Sequence, residues 1–427
     1  MTADRTRWRE ILDKALAERD RLTPEEVEYL LELHAPEALE ALFAAAYAMK
    51  IRHVGKIVRL RGLIEIGNIC TKNCFYCGIR RDNTAECRFV LTRDEILEAA
   101  RKILDFGYGS VVLQAGERND RPWVDFITEV VAAIKALDGG ALGITLSLGE
   151  QEEAVYRRWF EAGAHRYLLR IESSNPALYA RFHPADGKHE FASRLEALEA
   201  LRRVGYQLGT GVMSGLPGQS AADLAGDIEF FRQIDADMIG MGPYLPHHAT
   251  PLGQTVLEAG GCDPARQLEI GLKMIAVTRL ALRDVNIAST TALQALAPDG
   301  RERGLLAGAN VVMPNVTPPP TVPIISFTTA SPAAMKMPKP AGWRWNAPSP
   351  PSAKPSACAN GAIRPMPGNG IKTPRTIGYL CRSNEYGSSN SVRRRMRRQH
   401  QCRNHASGRR IHPEARFCAC AGGDSGR

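Results

Sequence analysis

From residue 60 onward, short apolar runs alternate with amphipathic stretches, and this alternation limits the possible folds more than any other property of the chain. The runs 60–66, 110–115, 143–148, 166–172, 207–213, 238–242, 285–289 and 310–313 read as strands. The stretches 94–104, 123–136, 150–162, 191–204, 221–233 and 265–282 show the spacing of helices with one buried face. Eight strands separated by helices predict an α/β fold, a (β/α)8 barrel of TIM type with a parallel sheet. Residues 5–50 read as further helices ahead of it. Thr23-Pro24-Glu25-Glu26 forms a capping box with Pro at the first helical position, and Thr92-Arg93-Asp94-Glu95 forms a second box.

The expected organisation is a helical segment over 1–59, a barrel over 60–317 and a tail over 318–427. A net charge of +9 would suggest an acidic partner, but it is unevenly distributed: residues 1–317 carry −6 and residues 318–427 carry +15. The tail also holds 15 of the 27 prolines and one leucine, Leu380. Such a segment buries too little to offset its ordering entropy, so it is expected to be disordered. Three origins compete. It is a natural basic tail; or a nucleic-acid or membrane tail built on Arg393-Arg394-Arg395-Met396-Arg397-Arg398; or, the preferred reading, an out-of-frame translation of the gene's 3′ end. Residues 1–50 show no apolar signal core and no stretch long enough to cross a membrane, so the expected location is the cytoplasm.

Chemistry enters at Cys70-Thr71-Lys72-Asn73-Cys74-Phe75-Tyr76-Cys77. This C-x3-C-x2-C spacing on the loop after the first strand suits three thiolates holding three irons of a [4Fe–4S] cubane, with the fourth iron left open. A structural zinc site is the alternative; it needs a fourth ligand, for which Cys87 is the one nearby candidate. Cys87 and Cys262 read as single structural cysteines, and the five tail cysteines as accidental. The glycine-rich stretch 211–218 lacks the Gly-Lys-Ser/Thr of a phosphate loop.

These residues resemble the radical S-adenosylmethionine (SAM) superfamily: the cysteine motif follows the first strand, and Tyr76 precedes its last cysteine. The stretches 61–66, 77–83, 165–172, 214–219 and 308–315 are similar to the HydE family of [FeFe]-hydrogenase maturases. The resemblance covers about residues 5–318 and departs after Pro318, which puts barrel closure in question. Biotin synthase and methylornithine synthase share the branch and stay open as alternatives, as does an inactive product of a damaged gene.

The resemblance implies a [4Fe–4S] cluster on Cys70, Cys74 and Cys77 that cleaves SAM reductively to methionine and a 5′-deoxyadenosyl radical. It implies contacts to SAM from Gln114, Gly116 and Glu117 (methionine ammonium), Glu172 (ribose or ammonium), Arg170 and Arg194 (carboxylate), and Tyr76, Met213 and Leu216 (adenine). Thr290 and Thr291 would meet a small organometallic iron substrate. The implied partners are other hydrogenase maturases and an electron donor such as ferredoxin or flavodoxin, with no membrane and no nucleic acid.

Overall fold

The computed structural model describes residues 4–318 apart from residue 19; the expectations for the tail beyond Pro318 lie outside the described residues. All eight expected strands form. β1 comprises Arg59–Leu60 and Gly62–Gly67, β2 Ser110–Ala115, β3 Gly143–Ser147 and β4 Arg166–Leu168. β5 is Gln207–Thr210 resuming as Met213–Ser214, and β6 is Met238–Ile239 resuming as Gly242–Pro243. β7 is Asn286–Ile287 and β8 Val311–Val312.

Neighbours pair in parallel from β1 through β7 in chain order. The ring then closes. β8 pairs in parallel with β1, Arg59 opposite Val311 and Leu60 opposite Val312, and Ala288 just past β7 bridges to Val311. Ser289 N donates to Val311 O (2.8 Å), and Leu63 N to Pro314 O (2.8 Å). The resemblance ending at Pro318 thus leaves the closure among the described residues intact.

Strand alternation divides each strand between two environments. A Cβ on Gly62 would stand 2.4 Å from Ile103 on the helix Arg93–Asp105, so Gly62, Ile64 and Ile66 face the helices. Arg61, Leu63 and Glu65 therefore face the interior. The helices Arg93–Asp105, Arg121–Ala136, Glu153–Glu161, Phe191–Val204, Ala221–Gln233 and Pro264–Leu282 cover the outside, close to the expected ranges. Both predicted capping boxes are formed, at Thr23 and Thr92. The N-terminal segment makes three helices, Asp4–Ala17, Pro24–Leu31 and Pro36–His53. Pro36–His53 packs on Pro264–Leu282, and Pro24–Leu31 on Ala221–Gln233.

One buried cation ties β7 and β8 to the helical layer. Arg279 donates to Gly308 O (2.8 Å), Arg283 O (2.6 Å), Val285 O (2.8 Å) and Asn310 Oδ1 (3.0 Å). Asn310 Oδ1 also accepts from Ile287 N (2.9 Å), and its amide donates to Asn286 Oδ1 (3.0 Å). Among the described residues, no helix is long and apolar enough to cross a membrane.

Candidate active site at the cysteine loop

The cysteines sit on the loop that leaves the C-terminal end of β1, and the end of β2 lies directly against it. Gly116 N donates to Gly67 O (3.3 Å). A Cβ on Gly116 would stand 2.4 Å from Ile69 O and 2.8 Å from Cys70 Cβ, so glycine alone admits this approach. One residue on, Glu117 N donates to Cys70 Sγ (3.4 Å), and Thr71 N donates to Glu117 O (2.9 Å). The far side of the loop is held by later segments. Phe75 N donates to Phe182 O (3.0 Å), Leu252 N to Phe75 O (3.0 Å), and Asn73 N to His189 Nε2 (2.9 Å). Asp186 holds His189 from behind, Oδ1 to Nδ1, at 2.7 Å.

Burial pushes all three thiols up, Cys74 to about 12 and Cys77 well above the ordinary thiol value; Cys74 also feels the Cys70 sulfur, and Cys77 feels both of the others. Among the described residues, no three His, Cys, Asp or Glu side chains converge as ligands to a single ion. Three thiolates on one short loop suit an iron–sulfur cubane, in which each thiolate binds its own iron. A cationic iron group would relieve the mutual repulsion that opposes ionisation here.

Beside the loop lies a buried network of three cations and three carboxylates that sequence reasoning found only in part. Lys72 Nζ is 2.8 Å from Glu150 and 3.4 Å from Glu117. Glu150 N donates to Glu117 Oε2 (2.8 Å). Arg194, 7% exposed, pairs with Glu150 and donates to Arg170 O, so it is not a solvated helix residue. Burial alone would raise Glu150, but Arg194 and Lys72 hold it below the ordinary carboxylate value. Burial wins at Glu117 and Glu172, which are raised despite Lys72 and Arg170 respectively. Lys72 and Glu150 carried no recognisable signal of their own. The one available clue was position, inside the cysteine motif and just after β3.

The run 166–172 continues past β4 in irregular form. Glu172 has φ +65°, rare for a side-chain-bearing residue, and is held there by Glu172 N to Gly211 O (3.0 Å) and Met213 N to Glu172 O (3.2 Å). Arg170 Nη2 stands 3.0 Å from Glu172 Oε2 as an ion pair, though not aligned as a hydrogen bond, and donates to Val212 O (2.8 Å). Buried polar atoms without a hydrogen-bond partner recur at the C-terminal ends of successive strands: Arg170 Nε, Glu172 Oε2, Ser214 Oγ, Tyr244 OH and Thr290 Oγ1. Orphaned groups of this kind fit a polar ligand that would satisfy them.

Tyr76, Met213 and Leu216 belong to one apolar cluster with Leu178, Phe182, Tyr244 and Val256. Tyr76 OH meets His183 Nε2 at 3.2 Å, and the rings cross edge-on. Gln114 is half-buried in β2, between Glu65 and Ser147 in register. Glu65, which sequence reading passed over, is buried in the interior; burial raises it to about 7 while Asn315 Nδ2 donates to it (3.1 Å). Thr291 differs from Thr290 in being engaged, its hydroxyl accepting from Arg301 Nη2 (2.7 Å). Cys87, read as structural, is exposed; Cys262 is half-buried beside the apolar cluster. A separate cavity of about 230 Å³, lined by Arg59, Arg61 and Arg166 among others, opens at the N-terminal end of the strands, away from the cysteines.

Comparison with known proteins agrees with this geometry. Residues 64–231 match the model of the Radical SAM superfamily. The chain is 42% identical, over 73% of its own length and 85% of the relative's, to the [FeFe] hydrogenase maturase subunit HydE of Thermotoga maritima. The solved structure of methylornithine synthase (PylB) superposes with a TM-score of 0.62 at 27% identity, covering 72% of this chain and 86% of the other. The maturase HydG superposes equally well at 21% identity, covering 72% and 67%, a likeness of fold.

Proposed function

Because this chain belongs to the radical SAM superfamily, in its family of HydE hydrogenase maturases, we propose that Cys70, Cys74 and Cys77 carry its [4Fe–4S] cluster and that the buried charge network beside them receives SAM. The chain is a radical SAM enzyme of [FeFe]-hydrogenase maturation. When bound, the cluster supplies the electron that cleaves SAM to methionine and a 5′-deoxyadenosyl radical.

The residues divide the remaining work. Gly116 and Glu117 bring a backbone amide to the Cys70 sulfur, a contact that favours the thiolate needed for iron. Arg170, held at Val212 O, offers its unused Nε to a carboxylate; Arg194, locked on Glu150, adds positive potential beside it. Glu172, fixed at its unusual φ, offers Oε2, ion-paired with Arg170 but without a hydrogen bond, to ammonium or hydroxyl donors. Gln114 adds a neutral polar group from β2. Tyr76, Met213 and Leu216 give an apolar face for adenine and exclude water from the reacting bonds. Thr290, with Thr291 behind it, is the proposed contact to a small organometallic iron substrate delivered by another maturase. Ferredoxin or flavodoxin in the cytoplasm is the proposed source of electrons.

The observation that carries the reading is the approach of Gly116 and Glu117 to Cys70, because it joins the thiol loop to the residues proposed for SAM. Anaerobic reconstitution of the full chain with iron and sulfide tests it. About four irons per chain and 5′-deoxyadenosine formed under reductant are expected, with both lost in Cys74→Ala. A Cys74→Ala variant that keeps its cubane spectrum would refute the ligand assignment.

A further inference from the structure

We propose that Arg88 and Asn68 form a clasp that draws the two ends of the cysteine loop together and so shapes the loop for its cluster. The proposal rests on the cluster assignment above.

Arg88 spends its guanidinium entirely on main-chain oxygens. Nη1 donates to Asn68 O (2.7 Å) and Ile79 O (2.8 Å). Nη2 donates to Arg80 O (2.6 Å), Asn83 O (3.0 Å) and Arg81 O (3.4 Å). Asn68 stands two residues before Cys70 and Ile79 two residues after Cys77. One nitrogen therefore bridges the entry and the exit of the segment that holds all three cysteines. A lysine, with one small ammonium head, could not reach both ends and the three carbonyls beyond.

Asn68 returns the grip. It is fully buried; its side-chain amide donates to Cys87 O (2.8 Å), and its Oδ1 accepts from Phe89 N (2.8 Å). These bonds bracket Arg88 on both sides. Backbone pairing extends the bracket: Asn68 N donates to Phe89 O (3.2 Å) and Leu91 N to Ile66 O (2.9 Å), so residues 89–91 run antiparallel beside the end of β1. The clasp thus hangs from a rigid strand and not from another loop. Its effect reaches one of the sulfurs. While Arg88 holds Ile79 by its carbonyl, the Ile79 amide bonds to the Cys77 sulfur.

Three variants of the full chain separate shape from charge. They are reconstituted anaerobically, and two quantities are read: the rate of iron loss to a chelator, and the cluster's midpoint potential by EPR-monitored titration. Arg88→Gln removes fork and charge; iron loss is expected on the order of tenfold faster, as for one lost charge-assisted contact, with a more negative midpoint. Arg88→Lys keeps the charge, so faster loss with a midpoint near the parent is expected. Asn68→Ala loosens the loop without removing a charge and should resemble Arg88→Lys.

Parental iron retention in Arg88→Gln overturns the clasp. If that variant does not fold, parental retention in both Arg88→Lys and Asn68→Ala overturns it equally. A parent chain that takes up no cluster instead removes the ligand assignment on which the clasp depends.

Discussion

Asp227 and Gly116 shape the surroundings of the cysteine loop through a hydrogen bond to a buried carboxyl and a close backbone approach. Asp227 is fully buried, and its Oδ1 accepts from Ser174 N (2.6 Å) and Ser174 Oγ (2.7 Å), fixing the turn that follows Glu172. Burial raises its carboxyl from 3.8 to about 7. The folded chain therefore keeps a proton that the unfolded chain releases within that window. The stabilising contribution is complete below 3.8 and is lost as pH rises through about 7. Asp227→Asn keeps an acceptor for Ser174 but cannot ionise. Urea unfolding of parent and variant at pH 5 and pH 8 should show the variant gaining on the order of 1 kcal/mol relative to the parent at the higher pH; a difference independent of pH would count against this account. Gly116→Ala should cut iron uptake sharply at nearly unchanged helical circular dichroism, because the added methyl strikes Ile69 O and Cys70 Cβ. The cysteines were legible because their spacing is local and chemically specific. Lys72, Glu150, Arg88 and Asp227 were not, since each acquires its role from partners that only folding brings near: Lys72 from Glu150, for example, 78 positions away.

Among the elements, regular strands and long helices were readable, and the short pieces at the mouth of the barrel were not. Phe191–Val204 and Ala221–Gln233 match the sequence expectation end to end. Pro176–Arg181, Pro251–Glu258, Thr291–Leu296 and Gly300–Leu306 were missed, being too short to display a helical repeat. Yet Pro251–Glu258 reaches the cysteine loop through Leu252 N, and Pro176–Arg181 leads to the Phe182 carbonyl that holds Phe75. The run 166–172 shows a different limit. Its apolar residues were legible, but regular pairing stops at Leu168: Ile171 N turns to the Thr210 hydroxyl (3.2 Å), and Glu172 takes a left-handed φ that sequence does not announce. The capping box at Thr92 starts the helix that packs behind β1, with Thr92 Oγ1 accepting from Glu95 N (3.3 Å) and Glu95 Oε2 accepting from Thr92 N (2.7 Å). Thr92→Ala should cost about 1 kcal/mol of stability, read as a lower midpoint in urea with an unchanged slope.

For the whole molecule, the decisive junction is the one between β7, β8 and β1. The Asn310 side chain makes three hydrogen bonds there, to Arg279 and Ile287 in the interior and to Asn286 at its edge. Asn310→Ala would leave an arginine and a backbone amide unsatisfied in the interior, a loss of roughly 2–4 kcal/mol. Chemical denaturation should report it, and a cost below about half a kilocalorie would mean that the ring is held mainly elsewhere. Closure also decides where the chain departs. Leu63 pairs with Asn315, and Thr317 Oγ1 accepts from Glu65 N (2.9 Å), five residues before Cys70. The last described residues therefore lie at the cysteine-loop end of the strands and not at the opposite end. A fluorescent protein or affinity handle fused after Pro318 would begin beside the cysteine loop and crowd the proposed entry to it, whereas the same fusion ahead of the first helix starts from a segment that packs along the outer wall.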